Sequence, residues 1–200
     1  MGTFLTRHYL IRWPGTLSGA ILSGTGMEPY PVVRSGRLLT TALVKAGKGK
    51  KRSKLVLALA LGSYNKSFRP TRTPVDWISR DRATQDGYMA DPLCRFTPTT
   101  GMFHDMLEGL LIIGNPHKLS PMDKDIPCFF LSGDRDPVGN MGKGVVRVYD
   151  MFKAVGCTDV TLKLYKDARH ETLNEINYEQ VQRDVLSWLE NKSKNFNSSS

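Results

Sequence analysis

Two loops, one carrying aspartates and one a histidine, constrain this chain most, because each closes a strand-like run and a helix-like stretch lies between them. Residues 126–131 (Ile-Pro-Cys-Phe-Phe-Leu) form a short apolar run that leads into Ser132-Gly133-Asp134-Arg135-Asp136-Pro137. Residues 142–155 have helical spacing and stop at Gly156. Residues 160–165 alternate so that Val160, Leu162 and Leu164 share one face, and Asp167-Ala168-Arg169-His170-Glu171 follows. Strand, loop, helix, strand, loop is the order of a parallel pair joined by a right-handed crossover. Both loops then sit at the carboxyl ends of neighbouring strands, where open α/β sheets collect ligands. The expected fold class is α/β.

Asp136 and His170 are the residues in these loops suited to acid–base chemistry. An imidazole has a reference pKa of about 6.5 and accepts a proton from a hydroxyl near neutral pH. A carboxylate on its other ring nitrogen fixes the tautomer and stabilises the imidazolium. Asp134 competes with Asp136 for the carboxylate role. The bland alternatives are a turn started at Asp136-Pro137 and a structural histidine. The natural third member would be a serine on a strand-to-helix G-x-S-x-G elbow. No such motif occurs in the 200 residues, although Met1-Gly2 fits its last two positions. Ser23 follows a strand but lacks the frame, Cys128 lies inside a strand, and Thr3 follows the elbow position, so none replaces it.

The other elements are read from spacing and breakers. Residues 4–13 read as a helix with Phe4, Leu5, His8, Ile11 and Tyr9 on its apolar side, stopped by Pro14-Gly15. Residues 17–22 suit a buried parallel strand. Residues 32–46, 53–61 and 82–89 look helical, and residues 99–113 form an amphipathic helix with Met102, Phe103, Met106, Leu107, Leu110 and Leu111. The last helix carries a capping signature at Asn177 and Gln180, with Tyr178, Val181, Val185, Trp188 and Leu189 as its buried stripe and a fraying tail over 191–200.

Charge and cysteine content restrict the function classes. The net charge is +9, yet residues 29–75 contain eleven Lys or Arg and no Asp or Glu, so the rest of the chain sums to −2. The basic run around Lys45, Lys48, Lys50, Lys51, Arg52 and Lys54 suits either a solvated loop or an anionic lipid surface. No aromatic residues interleave with it and no nucleic-acid motif is present, so nucleic acid is not an expected partner. Three cysteines, Cys94, Cys128 and Cys157, form neither a CxxC pair nor a disulfide framework. The longest apolar run, residues 55–61, is seven residues, too short to span a bilayer. The expected location is the cytoplasm, with peripheral membrane contact. Met1 to Thr6 satisfies the loose myristoylation pattern but reads better as the start of a helix.

Several stretches resemble one family. Met1-Gly-Thr-Phe-Leu-Thr-Arg-His-Tyr9, Asp76-Trp-Ile-Ser-Arg-Asp81, Tyr88-Met-Ala-Asp-Pro-Leu-Cys94, Leu131-Ser-Gly-Asp-Arg-Asp-Pro-Val138 and Arg169-His-Glu-Thr-Leu-Asn-Glu175 are similar to the α/β-hydrolase superfamily. The branch is that of monoacylglycerol lipases and lysophospholipases, the serine-aminopeptidase-like hydrolases. The resemblance implies the C-terminal part of an α/β-hydrolase parallel sheet with an inserted helical cap. It divides the chain into residues 1–28 after the nucleophile elbow, a cap over 29–119, and a C-terminal core over 120–200. By the same match Asp136 is the triad acid, His170 the base, and the backbone nitrogen of Met1 one oxyanion donor. The substrate implied is a small lipid ester, with no metal or organic cofactor. The departure is the missing Gly-His-Ser before Met1, which gives the expectation of a truncated part inactive by itself, with an apolar sheet edge left unpaired. A non-catalytic module that binds anionic lipid through its basic cap loop is the alternative.

Overall fold

The computed structural model describes residues 1–94 and 96–197. Three strands form one parallel sheet in the order β1 (Ala20–Ser23), β2 (Cys128–Gly133) and β3 (Val160–Tyr165). Ala20 pairs with Cys128, and Cys128 with Val160, so the three strand ends lie side by side. Every residue of β2 is buried, as a central parallel strand covered on both faces requires.

The period of two along the strands sorts the side chains into two cores. Ala20, Leu22, Cys128, Phe130, Val160, Leu162 and Leu164 face α1 (Gly2–Arg12) and α6 (Lys143–Ala154), whose Leu10, Ile11, Val145, Val148 and Phe152 cover them. Ile21, Phe129, Leu131 and Tyr165 face α7 (Tyr178–Asn197) through Val181, Val185 and Trp188. Between β1 and β2 come α2 (Tyr30–Leu43), α3 (Lys54–Leu61), α4 (Arg82–Ala90) and α5 (Thr100–Ile113). Helix α5 packs on both α1 and α2, and its C-terminal Ile113 enters the core under the sheet. No helix among the described residues is long and apolar enough to cross a membrane.

Several expectations shift at this level. The first strand is shorter than residues 17–22 and moves to Ala20–Ser23, with Leu17 outside it and partly exposed. Helix α2 passes at Val44 into a wider π turn, and the helical path ends where expected, at the kink of Ala46 and Gly47, where φ is +73°. In α1 the buried stripe is Arg7, Leu10 and Ile11, while Leu5 and Tyr9 face outward. On α7, Tyr178 and Leu189 are 44% and 45% exposed, so the buried stripe narrows to Val181, Val185 and Trp188. The capping box does not form: Asn177 Oδ1 accepts from Arg80 Nη2 at 2.9 Å, not from a helix amide. Helix α7 continues through 191–197. The rest of the expected fraying tail, residues 198–200, lies outside the described residues.

Arg7 is the residue that spacing missed. It is 1% exposed, and burial pushes its guanidinium pKa down to about 9, so it remains charged at neutral pH. Its Nη1 donates to Gly26 O at 2.9 Å and Thr25 Oγ1 at 3.4 Å, and its Nη2 to Ile113 O at 2.9 Å. One side chain therefore joins α1, the loop after β1 and the end of α5. Replacing it with leucine leaves these buried acceptors unpaired. Arg7→Leu is expected to destabilise the chain by about 1–3 kcal/mol, read as a lower urea midpoint. An unchanged or raised midpoint would mean that the buried charge costs more than its hydrogen bonds return.

Candidate active site

The carboxyl ends of β1, β2 and β3 bring together the two loops singled out by sequence. Asp136 is fully buried, and its Oδ2 lies 2.9 Å from His170 Nδ1. Two further donors satisfy the carboxylate: Ser132 Oγ to Oδ2 at 3.2 Å, and the Val138 amide to Oδ1 at 2.8 Å. The His170 side chain is partly open to solvent, and its Nε2 makes no hydrogen bond among the described residues. Asp134, the competing acid, makes no hydrogen bond to His170 among the described residues, and its Oδ1 is buried and unpaired. The imidazole is thus hydrogen-bonded to Asp136 and not to Asp134.

Two glycines make this approach possible. A Cβ on Gly133 would stand 1.9 Å from Ala168 O, so only glycine lets the acid loop pass against the histidine loop. Gly24, with φ +67°, closes β1 against the imidazole; a Cβ there would lie 2.9 Å from His170 Cε1 and 3.0 Å from Nδ1. The aromatic wall was not foreseen. Trp77 lies 5.3 Å from the imidazole between ring centres, and Tyr64 packs on Trp77 at 5.1 Å. Burial, then the charges of Glu28 and Asp136, push the Tyr64 hydroxyl up to about 12. Trp77 stood in a quoted stretch, but nothing in its spacing tied it to residue 170.

The remaining candidates are placed as follows. Met1 caps the N-terminus of α1, its carbonyl accepting the Phe4 amide at 2.9 Å. Burial lowers the pKa of its amino group, and the charge of the Asp136 carboxylate opposes that shift. Ser23 Oγ is 3.2 Å from Thr172 Oγ1, a strand-end contact. Cys128 is buried inside β2, and that burial first of all pushes its thiol up to about 12, away from nucleophilic use. Thr3 Oγ1 is buried on α1 without a partner. No group of side chains arranged to hold a metal occurs among the described residues.

Known proteins share this fold. The family model described as serine aminopeptidase, S33, matches residues 1–177, and the chain belongs to that hydrolase family. It is 27% identical over 192 residues to the monoacylglycerol lipase of Mycolicibacterium smegmatis, covering 94% of this chain and 59% of that protein. A thermostable carboxyl esterase from Bacillus coagulans, solved in complex with glycerol, superposes with a TM-score of 0.87 at 27% identity, over 94% of this chain and 61% of the esterase. A soluble variant of Saccharomyces cerevisiae monoglyceride lipase, solved with a substrate analogue, gives a TM-score of 0.70 at 20% identity, over 95% of this chain and 62% of the lipase, and shares the fold. The parallel sheet with flanking helices is thus that of an α/β-hydrolase, and the chain spans about 60% of the length of the relatives it matches.

Gly24→Ala tests the packing that seats the imidazole. The added methyl strains a left-handed position and presses on the ring, so the His170 Nδ1 proton signal in NMR is expected to shift or vanish. A variant that keeps the wild-type signal would show that Gly24 does not set the ring position.

Proposed function

We propose that this chain supplies the acid and base of a Ser-His-Asp carboxylic-ester hydrolase acting on a lipid ester such as a monoacylglycerol or lysophospholipid. The observation that carries the reading is the 2.9 Å contact from Asp136 Oδ2 to His170 Nδ1, which leaves Nε2 unengaged. In the complete reaction His170 Nε2 takes the proton of a serine hydroxyl as its oxygen adds to the ester carbonyl. The imidazolium then returns that proton to the departing alcohol, leaving an acyl-serine. Water, deprotonated by the same nitrogen, releases the acid and restores the serine. Asp136 stays ionised and holds the ring in the tautomer that leaves Nε2 as acceptor.

No Gly-x-Ser-x-Gly frame for the nucleophile occurs in the 200 residues. We place the serine immediately before Met1 in a longer protein, where the Met1 nitrogen becomes an amide able to donate to the oxyanion. Losing one such donor costs about 100- to 1,000-fold in rate, and losing the nucleophile removes the acyl-enzyme route altogether. Residues 29–119 then serve as the cap over the site, with the half-buried Met102 and Met106 of α5 as candidate acyl-chain contacts.

The purified 200-residue chain is expected to hydrolyse neither a short p-nitrophenyl ester nor a monoacylglycerol above the rate of its His170→Ala variant. A rate that disappears in His170→Ala would overturn the placement of the serine. In a longer protein carrying Gly-x-Ser directly before Met1, His170→Ala is expected to lower kcat about a million-fold.

One observation favours a lipid surface as the place of work. Helix α3 leaves Leu55 and Leu59 58% and 66% exposed, directly after the cationic run at Lys48, Lys50, Lys51 and Arg52. Exposed leucines beside cations that form no ion pair among the described residues suit an anionic headgroup layer. Binding to vesicles containing phosphatidylserine is expected to fall with salt and to be lost when Lys50, Lys51 and Arg52 are changed to glutamine. Equal binding to neutral vesicles would remove this reading.

A further inference from the structure

We propose that Glu175 is a positioning residue whose buried carboxylate fastens the His170 loop to residues 72–81, so that the imidazole is aligned from that segment as well as from Asp136. The inference rests on His170 being the base. The Glu175 side chain is fully buried five positions after His170. Its Oε1 accepts the Arg169 amide at 2.8 Å and the Arg80 amide at 3.0 Å. Its Oε2 accepts Arg80 Nε at 2.8 Å and the Ile176 amide at 3.1 Å. Two of these donors belong to the histidine loop and two to Arg80, so one carboxylate holds both segments.

The joint is reinforced on both sides. Arg80 Nη2 reaches Asn177 Oδ1 at 2.9 Å, and Ser79 Oγ donates to Asn174 O at 2.8 Å. The Arg169 guanidinium runs the opposite way, donating to the carbonyls of Asp76 and Ser79 and lying 4.2 Å over the Phe68 ring. The peptide that carries the imidazole is held directly: the His170 amide donates to Trp77 O at 3.4 Å and the Glu171 amide to Ile78 O at 2.7 Å. Asp76 fixes the turn that presents these carbonyls. Burial would raise its carboxyl pKa, but hydrogen bonds from Thr73 and the Arg72 amide and the Arg169 charge hold it below the ordinary value.

None of these polar groups lies against the reacting nitrogen, so their effect on chemistry runs through the ring position. A buried carboxylate with this many donors is costly to strip of a partner, because the remaining charges and amides stay buried unpaired. Removing Arg80 from the other side loosens the joint without opening a core cavity, since its side chain is partly exposed.

The test uses the 200-residue chain and two readouts, amide exchange at Glu171 and the Nδ1 proton signal of His170. Arg80→Gln is expected to speed Glu171 exchange about tenfold or more while Phe130, in β2, keeps its protection. The His170 Nδ1 signal should weaken or shift in the same variant. Glu175→Gln should act in the same direction and more strongly, and Arg80→Gln decides alone if that variant fails to fold. Lys163→Gln, which breaks the Lys163–Asp184 ion pair between β3 and α7, should leave both readouts unchanged. The proposal is overturned if Arg80→Gln keeps both readouts within about twofold of wild type, or if Lys163→Gln moves them equally. A wild-type chain without the Nδ1 signal would sink the functional reading itself, and this proposal with it.

Discussion

A carboxylate taken wholly out of water must be met by donors or give up its charge, and Asp136 is such a group. Ser132 and the Val138 amide come from its own loop and cost the fold little. The third donor, His170, comes from the next strand–loop unit and is available only if β2 and β3 end in register. That register is fixed by the pairing of Gly133 with Tyr165 at the last rung, one step before both chains turn. A slip of one residue would invert the faces of β3, send Leu162 and Leu164 away from α6, and remove the imidazole from the carboxylate. Core packing and the site geometry are thus consequences of one alignment.

The same alignment explains why small residues crowd the strand ends. Gly133 and Gly24 stand where two loops and a ring share a space that no Cβ fits. Gly26 meets the carbonyl of Val138 in the same way. These contacts bring the end of β1, the acid loop and the histidine loop into close backbone approach around the ring. Tight backbone packing around a ring limits the positions it can take, and here Nδ1 is held on Asp136 while Nε2 makes no hydrogen bond among the described residues.

Sequence pattern carried far in the sheet and less far above it. The alternation of Val160, Leu162 and Leu164 located β3 to the residue, and the apolar run before Ser132 located β2 within two positions. The Asp136–His170 pair was legible because each residue follows its own strand, and strand order determines where loops meet. Arg7 was not legible: its acceptors are the carbonyls of Gly26 and Ile113, main-chain groups that any residue provides. The Asn177 cap failed for a related reason. Local spacing promised a helix amide to its side chain, but Arg80, 97 residues earlier, offers a charged donor that the local pattern does not contain.

The long-range polar contacts also account for how a segment without strands holds its place over the sheet. Residues 72–81 contribute Ile78 as a buried apolar anchor and the Trp77 ring against the imidazole, and attach besides through main-chain carbonyls, Arg80 and Ser79. Apolar contacts alone would fix this segment to within the tolerance of sliding surfaces, because dispersion and area burial are weakly directional. Hydrogen bonds to a buried carboxylate are directional and lose their energy over a fraction of an ångström. An acid–base site requires that kind of tolerance, since the proton moves only when donor and acceptor lie within hydrogen-bond reach. Beside His170 both kinds of contact meet: the Trp77 ring packs on the imidazole, while the hydrogen bonds to Glu175 and to the carbonyls of Trp77 and Ile78 supply the direction that packing alone lacks.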